Sequence, residues 1–112
     1  MKDKILEIVK TVRDRETFPT WALMMKLGEE VGELNESLLA EFGYLKHKDK
    51  EFESPFGEAA DVILVVLNVL TTQYKDELTA EEIVAELEKQ IHKKFEKYLK
   101  RLECDVNNTK YT

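Results

Sequence analysis

Apolar residues recur at steps of three and four through nearly the whole chain. That spacing constrains the fold more than any other feature. Leu23, Leu27, Val31, Leu34, Leu38 and Phe42 keep the step without interruption. An α-helix repeats every 3.6 residues, so these side chains share one face, whereas a half-buried strand needs strict alternation. Ile5, Leu6, Ile8, Val9 and Val12 form a similar stripe between Asp3 and Arg13. Ile83, Leu87, Ile91, Phe95, Tyr98 and Leu102 form another. Only four Gly and two Pro occur among 112 residues, which argues against a fold of many short strands and turns. The expected class is all-α. One domain of four helices spans residues 1–104, and a polar tail that frays spans 105–112.

Breakers and caps place the helix ends. Pro19, within Glu16-Thr17-Phe18-Pro19-Thr20, stops the first helix, and Thr20 is the expected N-cap of the second. The second helix runs from Trp21 to Phe42, with Gly43 as its stop. Tyr44 to Glu53 is charged and irregular and reads as a solvated loop. Ser54-Pro55 restarts the chain with serine at the cap and proline at the first helical position. The third helix runs to Tyr74. From Ala59 to Leu70 it is apolar nearly all round, which predicts the central, most buried helix. That stretch is too short to span a bilayer and is interrupted by Asp61 and Asn68, so no membrane association is expected. Thr79-Ala80-Glu81-Glu82 is a capping box that opens the fourth helix.

The charge balance narrows the partners. The chain has 23 acidic and 17 basic residues, a net charge of −6. A nucleic-acid polymer calls for a basic footprint, so such a partner is not expected. A phosphorylated small molecule remains compatible if a cation stands between it and the protein. Cys104 is the only cysteine. No internal disulfide can form, which fits a reducing, cytoplasmic setting.

Two acidic pairs carry the chemistry. The second helix holds Glu29-Glu30-Val31-Gly32-Glu33, and the third holds Glu58-Ala59-Ala60-Asp61. Carboxylates three residues apart project from one side of a helix. If the two helices pack together, Glu30, Glu33, Glu58 and Asp61 meet across the interface. Like charges at 4 Å repel by about 4 kcal/mol at an effective dielectric near 20, so such a cluster holds protons or recruits cations. An all-oxygen donor set favours Mg²⁺, Mn²⁺ or Ca²⁺. The competing reading is a solvated acidic helix face. It explains one pair readily, but fits less well a pair embedded in an apolar helix.

Lys26-Leu27-Gly28-Glu29-Glu30-Val31-Gly32-Glu33-Leu34, followed by Glu58-Ala59-Ala60-Asp61-Val62, resembles the paired acidic signature of the MazG-like nucleotide pyrophosphohydrolases. Lys94-Phe95-Glu96 is similar to the basic segment on that family's last helix. The resemblance covers roughly Trp21 to Arg101. It implies a MazG-like bundle completed by oligomerisation, as a homodimer or homotetramer. It also implies hydrolysis of a nucleoside triphosphate to the monophosphate and pyrophosphate with Mg²⁺, or Mn²⁺ in its place. On this reading Glu30, Glu33, Glu58 and Asp61 hold the metal, while Glu29 and Glu33 take the catalytic places. Lys26, Asn68, Lys94 and Trp21 are candidates for binding the nucleotide, and Phe18 also flanks the start of the second helix. The expected role is sanitation or control of the nucleotide pool.

Two alternatives stay open. Glu58-Ala59-Ala60-Asp61 and Gly28-Glu29-Glu30 also resemble phosphoribosyl-ATP pyrophosphohydrolase. A non-catalytic helical interaction protein fits the caps and periodicity equally well. No Ser–His–Asp, Cys–His or phosphate-loop pattern stands out. The Glu-x-x-His motifs of a di-iron bundle are missing, since Lys89 and Tyr44 lie three residues before His92 and His47.

Overall fold

A computed structural model describes residues 1–43 and 53–107. Among them lie four α-helices and no strand: α1 (Lys2–Arg15), α2 (Thr20–Glu41), α3 (Pro55–Tyr74) and α4 (Ala80–Asn107). Of the solvated loop expected from Tyr44 to Glu53, only Glu53 is among the described residues. α4 runs to Asn107, three residues into the expected tail, and 108–112 lie outside the described residues.

The helix ends follow local chemistry. Ser54 Oγ accepts from the Gly57 amide at 3.2 Å, with Pro55 opening α3. At α4 the capping is reciprocal. Thr79 Oγ1 accepts from the Glu82 amide at 3.1 Å, and Glu82 Oε1 accepts from the Thr79 amide at 2.9 Å. Each pair satisfies amides that the first turn leaves without helical partners. Beyond α2, Gly43 adopts φ 78° and donates to the Ala40 carbonyl at 3.1 Å. That left-handed backbone suits a residue without Cβ. Thr20 is not the N-cap of α2 but its first helical residue. The extended cap position falls to Pro19, whose carbonyl accepts from Ala22 and Leu23 at 3.1 and 3.3 Å.

α3 touches the three other helices and packs most extensively along α2. α1 lies against α3 and α4. Val9, Ala80, Ile83 and Val84 form a buried cluster joined by Ile5, Leu6 and Leu78. The Arg13 guanidinium donates to the Leu78 carbonyl and ties α1 to the turn before α4. Leu23 on α2 and Val65 and Leu67 on α3 are also buried.

α3 is central but not buried all round. Ile63 is 59% exposed and Leu64 44% exposed. The C-terminal half of α4 behaves similarly, with Ile91, Phe95, Tyr98 and Leu102 exposed. Among the described residues, the packing of the helices leaves these side chains uncovered. At 20 residues and mean hydropathy 1.4, α3 is long and apolar enough to cross a membrane by length and composition. It nevertheless carries Glu58 and Asp61 in its N-terminal half.

Candidate metal centre and adjoining cleft

The helical period brings the two acidic pairs together where α2 packs on α3. Carboxylate oxygens of Glu30, Glu33 and Glu58 lie within 4.8 Å of one another. A second trio of Glu53, Glu58 and Asp61 meets the same limit. Glu58 belongs to both. Its side chain is buried at 7% exposure, and its Oε2 has no hydrogen-bond partner. Glu30 Oε2 is likewise buried without one.

Crowding leaves an electrostatic mark. The Glu58 carboxyl is pushed above the ordinary range by burial, then by the nearby charges of Glu53, Glu33 and Asp61. Glu30 is raised by burial, then by Glu33 and Asp61. Both effects disfavour the ionised form unless positive charge is near, and at Glu30 the charge of Lys26 offsets them only in part. A hard divalent cation supplies that charge and accepts oxygen donors in numbers that this cluster can provide. Two buried carboxylate oxygens without partners, within an all-oxygen donor set, are the fit expected for such an ion.

Glu30 and Asp61 also line a cleft of about 510 Å³ that runs between α2 and α3. Glu16, Phe18, Ala22, Leu23, Lys26, Leu64, Val65 and Asn68 complete its wall. The volume lies within the range of about 300–1,000 Å³ typical of small-molecule sites. Asn68 lies seven residues after Asp61, so both residues face the cleft. The Asn68 amide nitrogen donates to Glu16 Oε1, and its oxygen accepts from Thr72 Oγ1 at 3.1 Å. The other Glu16 oxygen accepts from the Thr17 and Phe18 amides at 2.9 and 3.3 Å. The Asn68 bond is the largest influence holding the Glu16 carboxyl below its ordinary value.

The structure therefore brings together Glu30, Glu33, Glu58 and Asp61, with Lys26 and Asn68 along the cleft. Glu29 is exposed and belongs to neither trio. Trp21 is 66% exposed and does not line the cleft, although Ala22 does. Lys94 sits on the exposed half of α4, away from the cleft wall. Two residues escape the sequence reading. Glu53 precedes the α3 cap, and Glu16 follows α1. Neither lies on a periodic face, so helix spacing gives no signal for them. Comparisons with known protein families, with curated proteins and with solved structures return no match.

Proposed function

We propose that this chain is the subunit of a Mg²⁺-dependent, MazG-like pyrophosphohydrolase. It converts a nucleoside or deoxynucleoside triphosphate and water to the monophosphate and pyrophosphate, in sanitation or control of a cytoplasmic nucleotide pool. The observation that carries this reading is Glu58 Oε2, buried without a partner in a carboxylate cluster two of whose members, Glu30 and Asp61, line a cleft of about 510 Å³. A solvated acidic face has no reason to bury such an atom, because an unpaired charge away from water is costly.

Mg²⁺, or Mn²⁺ in its place, neutralises phosphate oxygens and lowers the pKa of a water when bound. Glu30, Glu33, Glu58 and Asp61 hold it. Glu33, half-buried in the cluster, accepts the proton of the attacking water. Glu29, outside both trios, plays a supporting part there. Lys26 on the cleft wall adds positive charge toward the triphosphate. Asn68, fixed by Glu16 and Thr72, orients the remainder of the nucleotide. Leu64 and Val65 give the cleft an apolar stretch of wall.

The working unit is a homodimer or homotetramer. α3 and α4 expose apolar side chains, among them Ile63, Leu64, Ile91 and Phe95, which a second copy covers. Lys94 and Trp21, which do not line their own chain's cleft, are then available to a neighbouring one.

The test is purified protein with Mg²⁺ and a panel of NTPs, dNTPs and phosphoribosyl-ATP, following pyrophosphate release. Release from at least one NTP or dNTP, lost on chelation and in Asp61→Asn, is expected. Turnover of phosphoribosyl-ATP alone moves the assignment to that substrate. A folded protein that releases pyrophosphate from none of them is not this enzyme.

A further inference from the structure

Beyond the carboxylate cluster the cleft has a second polar patch. Glu16 and Asn68 both line it, and both are half-buried. Asn68 lies seven residues after Asp61, about 10 Å further along α3 at 1.5 Å per residue, which is comparable with the reach of a nucleoside from its phosphates. The pair is held in place. Glu16 Oε2 is filled by the Thr17 and Phe18 amides at 2.9 and 3.3 Å, and Oε1 takes one hydrogen of the Asn68 amide. These bonds, that from Asn68 first, hold the Glu16 carboxyl below its ordinary value, so at neutral pH it is ionised and can only accept. An acceptor-only neighbour dictates which end of the Asn68 amide faces it. The Thr72 hydroxyl, donating to the amide oxygen at 3.1 Å, fits the same orientation. Among the described residues, one lone pair of Glu16 Oε1 and the second Nδ2 hydrogen of Asn68 are left over. An acceptor therefore sits beside a donor, in an order that cannot be reversed.

We propose that Glu16 and Asn68 select the base of the nucleotide, taking the amino group and adjacent ring nitrogen that cytosine and adenine share. Glu16 Oε1 accepts from the exocyclic amino group, and Asn68 Nδ2 donates to the ring nitrogen beside it. The inference rests on the reading of the cleft as a nucleotide site, but not on hydrolysis there. Uracil and thymine carry a carbonyl where cytosine carries its amino group, which sets lone pair against carboxylate. Guanine offers two neighbouring N–H donors, and these call for two free acceptors. The second Glu16 oxygen is already occupied by the Thr17 and Phe18 amides. Leu23 and Val65, both buried, line the same cleft and offer apolar surface to the ring. A two-bond pairing of this kind separates one base from another by about tenfold or more.

Two measurements on the full-length chain test it. The first is kcat/KM with Mg²⁺ for the NTP and dNTP of each base. The cytosine or the adenine nucleotide, or both, should exceed those of uracil, thymine and guanine by about tenfold or more. Cytosine alone or adenine alone identifies which ring the cleft admits. Glu16→Gln, with wild-type helicity by circular dichroism, can donate as well as accept, so the preference should collapse toward one. A purely structural Glu16 would instead lower every substrate by the same factor. The second measurement needs no hydrolysis. The Asn68 side-chain amide of ¹⁵N-labelled wild-type protein is followed by NMR during titration with dCMP, dAMP and dUMP. It should shift with dCMP or dAMP at concentrations where dUMP leaves it unmoved. Hydrolysis without base preference, or a preference that survives Glu16→Gln, overturns the inference and leaves the pyrophosphohydrolase standing. A base-selective Asn68 shift in a protein that hydrolyses no nucleotide does the reverse. An inert protein whose Asn68 amide responds to none of the three overturns both.

Discussion

Ser37 and Thr71 are both sealed from solvent, at 1% and 0% exposure, but their hydroxyls differ in worth. Ser37 Oγ donates to the Glu53 carbonyl at 2.7 Å, whereas Thr71 Oγ1 is buried with no hydrogen-bond partner. Replacing Ser37 by Ala removes a bond worth about 1 kcal/mol net. The Glu53 residue is exposed, so its carbonyl can turn to water and the larger cost of a stranded group does not arise. Alanine's better helix propensity offsets a few tenths, on the order of 0.3–0.5 kcal/mol. The expected loss is therefore about 0.5–0.7 kcal/mol. Thr71→Val acts in the other direction. A stranded buried hydroxyl costs about 1–3 kcal/mol, and a methyl of similar shape relieves it. Both residues are β-branched, so helix propensity barely changes, and a gain of about 1 kcal/mol is expected. Unfolding entropy of about 2.1 cal/mol/K per residue makes 1 kcal/mol worth roughly 4 °C in a chain of this length. Thermal circular dichroism at fixed chain concentration should show Ser37→Ala lower by about 2–3 °C and Thr71→Val higher by about 4 °C. Shifts of the same sign in both variants refute the reasoning. So does a Thr71→Val protein less stable than wild type, because that hydroxyl then has a partner.

Two further outcomes follow from the site. Glu16 has its carboxyl held below the ordinary value, first by Asn68, so it contributes stability that is present above pH 4.5 and lost as pH falls through its folded value. Asn68→Ala should raise the Glu16 midpoint in a carboxyl NMR titration and move acid unfolding to higher pH, and an unmoved midpoint contradicts the bond's role. Mg²⁺ or Mn²⁺ at a hundredfold excess over Kd should stabilise the chain by about 2.7 kcal/mol, roughly 10 °C, provided it binds only the folded state. Chelation should reverse the shift and Asp61→Asn should reduce it, whereas an unshifted wild-type midpoint argues against cation capture.

The parts legible in the sequence are those that local rules determine. Ser54-Pro55, the Thr79 and Glu82 pair, and Gly43 each act within a few residues of themselves, and each marks a helix end in the fold. Glu30, Glu33, Glu58 and Asp61 converge because helical period puts each pair on one side of its helix. Glu53 and Glu16 are different. They enter through tertiary bonds to Ser37 and Asn68, which no periodicity encodes. The apolar girth of α3 reads as burial, yet Ile63 and Leu64 are exposed. Sequence shows that a face is apolar, but not whether the covering surface belongs to the same chain. The same holds for Ile91, Phe95, Tyr98 and Leu102 on α4. At α2, Pro19 takes the cap position through its extended backbone and carbonyl, a role invisible to a search for capping side chains.

Phosphorus NMR of a nucleoside triphosphate incubated with Mg²⁺ and the protein tests the central claim most directly, because it identifies both products at once. The monophosphate and pyrophosphate signals should grow together in equal amounts, and Glu58→Gln should abolish both. Release of diphosphate with inorganic phosphate, or an unchanged triphosphate spectrum from folded protein across the nucleotide panel, would contradict a pyrophosphohydrolase built on the α2–α3 carboxylates.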